Sequence, residues 1–396
     1  MMMSASVVGL TVPTAARLFR SFSGRCLLVK CSTYGGSCIS LQPGQVQCSS
    51  SFNHSSFDHH TYSSEQEEYP RFRNFQEKKD HKNHKSSSSR KYLLAGFLPS
   101  FGALFGLEED EKDKDDPLMK TIKRGIICQR QREFDKAEVI FHAALSSAVE
   151  QSNLKAQVYL YSCLGHNAFL KGEYDKSEKV YKELIKRLIS EGYDENHEAI
   201  IEISLKIATI FSKTGRKSLA ETGYDFCLKA QKSRVEKMDL NKKFDPETDK
   251  NELNTLALYG MILDWYGKHH LRNNQYKEAL SFTGQALEIC KKVHGEEHYQ
   301  TMVLLSDKGC IHNLMEEWDS AITCLHKASE IGKKVKTNQL KVILYNLGMT
   351  YLMKEDWDSA ARDCGLAYKF AYEENDAQLL KMTNECLTKA NCKTKN

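Results

Sequence analysis

The sequence predicts an all-α protein: a superhelix of about six antiparallel helix pairs plus a capping helix, preceded by a disordered leader. Three observations carry this. The segment Glu317-Trp318-Asp319-Ser320-Ala321 returns 39 residues later as Asp356-Trp357-Asp358-Ser359-Ala360, each copy following a Gly (Gly309, Gly348) and preceding an Ala (Ala328, Ala367) at equal distances. Repeats with periods of this order mark stacked arrays. Proline is scarce: only Pro246 follows Pro117, in a segment rich in Ala, Leu, Lys and Glu, which favours helix. Finally, the Trp motif has weaker relatives along the chain, at markers 134, 174, 217, 276, 318 and 357.

In chain order, residues 1–46 read as a mitochondrial transit peptide. No Asp or Glu precedes Asp58, while Arg17, Arg20, Arg25 and Lys30 are spread among Ala, Leu, Phe and Ser. Residues 47–90, rich in Ser, His, Asn and Lys, bury too little to order themselves and read as a disordered linker. Tyr92 to Leu107 carries no charge and is flanked by Arg90-Lys91 and Glu108-Glu109-Asp110-Glu111. Residues 91–107 are thus a candidate transmembrane or membrane-surface segment, short for a span and weakened by Gly96, Pro99, Gly102 and Gly106. The flanking charges would leave the helical body in the intermembrane space, and a breakable span invites intramembrane cleavage. Residues 108–116 are an acidic linker; with no Gly at its sixth position, it lacks the turn of a calcium loop.

The helical array is expected over 117–390, with a tail at 391–396. Its first unit is Gly125, Phe134, Ala137, Phe141 and Ala144; its second is Gly165, Gly172, Tyr174, Ser177 and Tyr181. Ala208, Gly215, Ala220, Tyr224 and Cys227 form the third, with Lys217 in the aromatic position; Gly267, Tyr276, Ala279 and Ala286 form the fourth. The Trp units, with Ala321 and Ala360, are fifth and sixth. A small residue on helix A lets a small residue of helix B approach, and the aromatic after the turn is expected to plug the gap between them. This is the tetratricopeptide pattern. The marker spacings of 40, 43, 59, 42 and 39 place one long insertion at 229–254. Asn375 to Ala390 can cap the open end of the stack.

Composition excludes several function classes. The net charge of +4 arises in the leader: residues 1–107 hold 12 Lys+Arg and 6 Asp+Glu, leaving 44 basic against 46 acidic in the remainder. No basic excess is available there for nucleic acid. Thirteen Cys show no Cys-x-x-Cys pair, so Cys128, Cys227, Cys324 and Cys364 read as buried thiols filling helical cores. The pair Cys38 and Cys48 has a spacing seen in the intermembrane space, but stands alone in the leader. His294-Gly295-Glu296-Glu297-His298 places two His four apart, yet Gly295 breaks the helix that a metalloprotease site needs, so a turn or cap role is expected. No catalytic residue, cofactor site or metal site is expected.

What remains is binding. In the inner-face frame of the A helices, His166, Lys206, Asp264, Lys268, Ser306, Asn313 and Tyr345 are candidate groove contacts, with the convex face or the insertion as alternatives. Arrays that clamp chaperone tails place a Lys and an Asn on helix A. The matching positions here carry Ile122 and Ile126, Ser162 and His166, Leu205 and Thr209, Asp264 and Lys268, Ser306 and Cys310, Tyr345 and Met349. The clamp is absent.

The run Ala199 to Ala208, with Gly215-Arg216, Ala220 and Gly223-Tyr224-Asp225-Phe226-Cys227, closely resembles the mitochondrial tetratricopeptide repeat protein 19 family. The likeness continues through Ala137-Glu138, His142, Ala144-Leu145 and Gly295-Glu296-Glu297-His298 with Gln300-Thr301, covering roughly residues 117 to 370. It implies an inner-membrane-associated, non-enzymatic factor that binds respiratory complex III and helps clear processing fragments of the Rieske iron-sulfur subunit. A protease or protease cofactor acting on those fragments is the alternative. A looser similarity to kinesin light chains implies cargo binding, which would not need the acid-free leader.

Overall fold

The computed structural model describes residues 116–394 except Lys243 and Glu247. The transit-peptide, linker and membrane-segment expectations for residues 1–107, the Cys38 and Cys48 pair and nearly all of the acidic linker lie outside them. Among the described residues there are thirteen α-helices and no strand, and no helix is long and apolar enough to cross a membrane.

The helices form six A/B pairs and a last helix. They are α1 (Pro117–Arg130) with α2 (Phe134–Glu150), α3 (Leu154–Lys171) with α4 (Tyr174–Ser190), and α5 (Glu198–Lys213) with α6 (Lys217–Val235). Next come α7 (Lys250–Arg272) with α8 (Tyr276–His294), α9 (Tyr299–Leu314) with α10 (Trp318–Val335), and α11 (Leu340–Met353) with α12 (Trp357–Glu373). The last helix, α13 (Ala377–Thr394), runs past residue 390, where the sequence set the end of the array. Each helix packs on its neighbours in sequence, and A helices also touch the next A helix, as α5 with α7 and α11 with α13. The insertion at 229–254 resolves into the end of α6, an irregular connection and the first residues of α7.

Every marker residue is the first residue of a B helix. Two places earlier the backbone always turns left-handed: Arg132 (φ 64), Gly172 (φ 87), Gly215 (φ 77), Asn274 (φ 59), Glu316 (φ 61) and Glu355 (φ 63). That residue ends helix A and lets the chain reverse within three residues. Three places after the marker sits the small residue, fully buried as Ala137, Ser177, Ala220, Ala279, Ala321 and Ala360.

The plug between paired helices is not the marker aromatic. Phe134, Tyr174, Tyr276, Trp318 and Trp357 are half-buried. The filler lies seven residues further, two turns along the same helix face: Phe141, Tyr181, Tyr224, Leu325 and Cys364, all buried, with Thr283 in the fourth pair. A Cβ on Gly125 would stand 2.5 Å from the Phe141 ring, on Gly165 2.7 Å from Tyr181, and on Gly309 2.7 Å from Leu325. The third pair inverts the arrangement: a Cβ on Gly223 of helix B would meet Ala208 of helix A at 2.8 Å, while the Tyr224 hydroxyl bonds Thr209 Oγ1 at 3.0 Å.

Cys364 is not a free thiol. It fills the sixth pair against Gly348 and is disulfide-bonded to Cys386 of α13, Cα atoms 6.3 Å apart. Cys128, Cys227 and Cys324 are buried free thiols. The sequence offers no spacing rule that would have found a bridge between two helices of an all-α stack.

Candidate functional site

The seven candidate residues lie on successive A helices, where most meet protein rather than solvent. On α5, Lys206 is buried and ion-paired at 2.8 Å with Glu202, one helical turn before it. Its ammonium reaches Ser162 Oγ of α3 at 3.4 Å and lies 5.8 Å from the centre of the Tyr181 ring. His166 of α3 is half-buried. Burial, then the charge of Lys206, pushes its pKa down to about 3, so the ring is neutral at physiological pH.

On α7, Asp264 and Lys268 pair at 2.7 Å, and Lys268 also lies 3.3 Å from Asp307 of α9. The two positions that would form a carboxylate clamp here neutralise one another. Ser306 is fully buried. Asn313 donates through Nδ2 to Thr350 Oγ1 of α11 at 2.8 Å, and Tyr345 of α11 is buried. Thus Lys206, Asp264, Ser306, Asn313 and Tyr345 are buried, and only His166 and Lys268 are partly open. The sequence frame assigned them to the inner face of each A helix. It could not show that adjacent A helices approach closely enough to take up their polar groups, as Gln129 with Asn167 at 3.3 Å also illustrates. Among the described residues, Asp264 Oδ1 and Ser306 Oγ have no hydrogen-bond partner.

The joint histidines act as helix caps. His298 accepts a hydrogen bond at Nδ1 from the Gln300 amide (3.1 Å), opening α9, and its ring stacks 4.5 Å from His294. His197 does the same for α5 with the Ala199 amide at 3.2 Å. Gly295 sits at φ 92, so His294 and His298 do not share a helix face. Among the described residues, no group of three or more His, Cys, Asp or Glu could hold a metal.

The A–B turn edge lies outside the inner-face frame. There Lys213 ends α5 and Arg272 ends α7. Arg272 donates to Ser212 Oγ at 2.7 Å, and the Lys213 ammonium lies 5.4 Å from the centre of the Phe169 ring. The available signal was position: each is the last residue of an A helix, immediately before a turn.

Six helix pairs and a buried small-residue seam define a tetratricopeptide-repeat protein, an architecture for holding other proteins. Residues 258–334 match the tetratricopeptide repeat family model. The chain is 30% identical over 254 residues to "Tetratricopeptide repeat protein 19, mitochondrial" of Rattus norvegicus, covering 64% of this chain and 69% of the rat protein. The mouse protein of that name is 29% identical over 289 residues (72% and 78%), and the Drosophila melanogaster homolog 27% over 299 residues (74% and 78%). The chain belongs to the tetratricopeptide repeat protein 19 family.

Proposed function

We propose that the protein is a non-catalytic adaptor of the mitochondrial inner membrane, with its helical body in the intermembrane space. In this reading it binds respiratory complex III and supports its assembly and maintenance by helping to clear fragments of the Rieske subunit. The observation that carries the reading is family membership across the helical body, since the relatives are named as mitochondrial. The buried Cys364–Cys386 bridge adds support, because disulfides persist where the compartment is oxidising.

Crosslinking in intact mitochondria tests this reading. Lysines of residues 116–394 should join to complex III subunits exposed to the intermembrane space. Crosslinks confined to matrix proteins would contradict it. The protease alternative predicts that the purified protein shortens an N-terminal Rieske peptide and that His294→Ala with His298→Ala stops it. The adaptor reading predicts no shortening, in keeping with a His298 ring engaged as a helix cap.

A further inference from the structure

Most cations near the A–B turn edge of the second to fourth pairs have a counter-charge, as Lys171 has in Asp135 and Glu173. Lys182 and Arg216 stand over the Phe211 ring at 5.9 and 4.4 Å and share Glu178 at 2.6 and 2.7 Å. Lys213 and Arg272 differ: neither has a carboxylate partner among the described residues, and the charge that acts on Lys213 is Arg272 itself. Arg272 is half-buried, and its guanidinium is fixed through Nη1 on Ser212 Oγ, which is also hydrogen-bonded to His269 Nδ1 at 2.7 Å.

Two like charges within Coulombic reach destabilise one another, the more so because Arg272 is half-buried. Both side chains have lowered pKa values, Lys213 through burial of its ammonium and then Arg272, and Arg272 chiefly through burial. An anion placed between them would relieve the repulsion. Beside them is an aromatic wall: Phe169 lies under Lys213, makes an edge contact with Tyr174 (centroids 5.6 Å apart) and stacks at 6.3 Å on His166.

We propose that Lys213 and Arg272 form a docking site for a carboxylate-bearing segment of a partner protein, with Phe169 and Tyr174 receiving an apolar residue beside the carboxylate. The site deepens the adaptor reading and rests on it, by naming the chemistry of the segment held. A peptide carboxylate fits better than a lipid surface. Arg272 is recessed and tied to Ser212, which defines a place for one anion, whereas membrane surfaces recruit protruding, mobile cations.

Fluorescence titration of the full chain with a labelled peptide of alternating Glu and Leu tests the site. The peptide should bind, a Gln-for-Glu version about tenfold more weakly, and Lys213→Gln and Arg272→Gln should each weaken the Glu peptide about tenfold. Lys186→Gln, an exposed cation on α4, should change nothing. Lys213 is also exposed, so its variant keeps the test valid if Arg272→Gln perturbs folding. The site is overturned if Lys213→Gln binds the peptide as tightly as the wild type or if Lys186→Gln weakens it equally. Binding to phosphatidylglycerol vesicles without binding to the peptide also overturns it. Each of these results leaves the complex III reading standing, since that is measured separately in mitochondria.

Discussion

Four of the six A–B turns place a side chain in a backbone conformation that suits glycine. Arg132, Asn274, Glu316 and Glu355 are left-handed where Gly172 and Gly215 occupy the same position without strain. Glu316→Gly and Glu355→Gly should each stabilise the protein by roughly 0.5–1 kcal/mol, because relief of the Cβ clash outweighs the entropy lost in ordering a glycine. Urea unfolding checks this, and a loss of stability in both variants would contradict it. The helix seam behaves in the opposite sense. Gly125→Ala puts a methyl group 2.5 Å from the buried Phe141 ring and should lower stability by about 1–3 kcal/mol, with Gly125→Ala/Phe141→Leu recovering part of the loss. Full additivity of the two changes would mean that they do not meet. Leu325→Ala should lower stability by about 2–5 kcal/mol and outweigh Trp318→Ala, since Leu325 is fully buried and Trp318 half-buried.

Helix caps and the terminal bridge set the properties of individual elements. His197 and His298 cap α5 and α9 through Nδ1, which accepts a hydrogen bond only when that nitrogen is unprotonated. Burial lowers both pKa values; at His197 the Arg234 charge adds to this, while Glu198 and Asp194 oppose it. With folded values below the unfolded one, the two contributions are complete above about pH 6.5 and are lost as pH falls through and below it. Stability measured in urea should therefore fall between about pH 7.5 and 5.5, and His197→Asn/His298→Asn, which keeps a capping oxygen, should fall less. An equal fall in both proteins would remove the caps from the account. At the other end, the Cys364–Cys386 bridge closes a separation of 22 residues and ties α13 to the last pair. Reduction, or Cys386→Ser, should lower stability by about 3 kcal/mol on the loop-entropy view and expose α13 first to hydrogen exchange. Protection of α13 equal to that of α5 after reduction would contradict this.

For the whole molecule, the architecture was legible because repetition supplies its own register: Gly309 and Gly348 before the two Trp motifs led to the other four pairs. The plug was misplaced because periodicity marks where a residue recurs, and burial depends on which face it turns to the neighbouring helix. Leu325 and Cys364 recur less visibly than Trp318 and Trp357, yet they fill the gap. The A-helix candidates were legible only as a face. Their ion pairs and hydrogen bonds join residues as far apart as Lys206 and Ser162, Lys268 and Asp307, or Asn313 and Thr350, which no local spacing announces.

Immunoprecipitation of the full chain from mitochondria solubilised in mild detergent tests the proposed complex III adaptor role most directly. The Rieske protein and cytochrome subunits should be recovered together with the chain. Recovery of the folded chain with neither would contradict it.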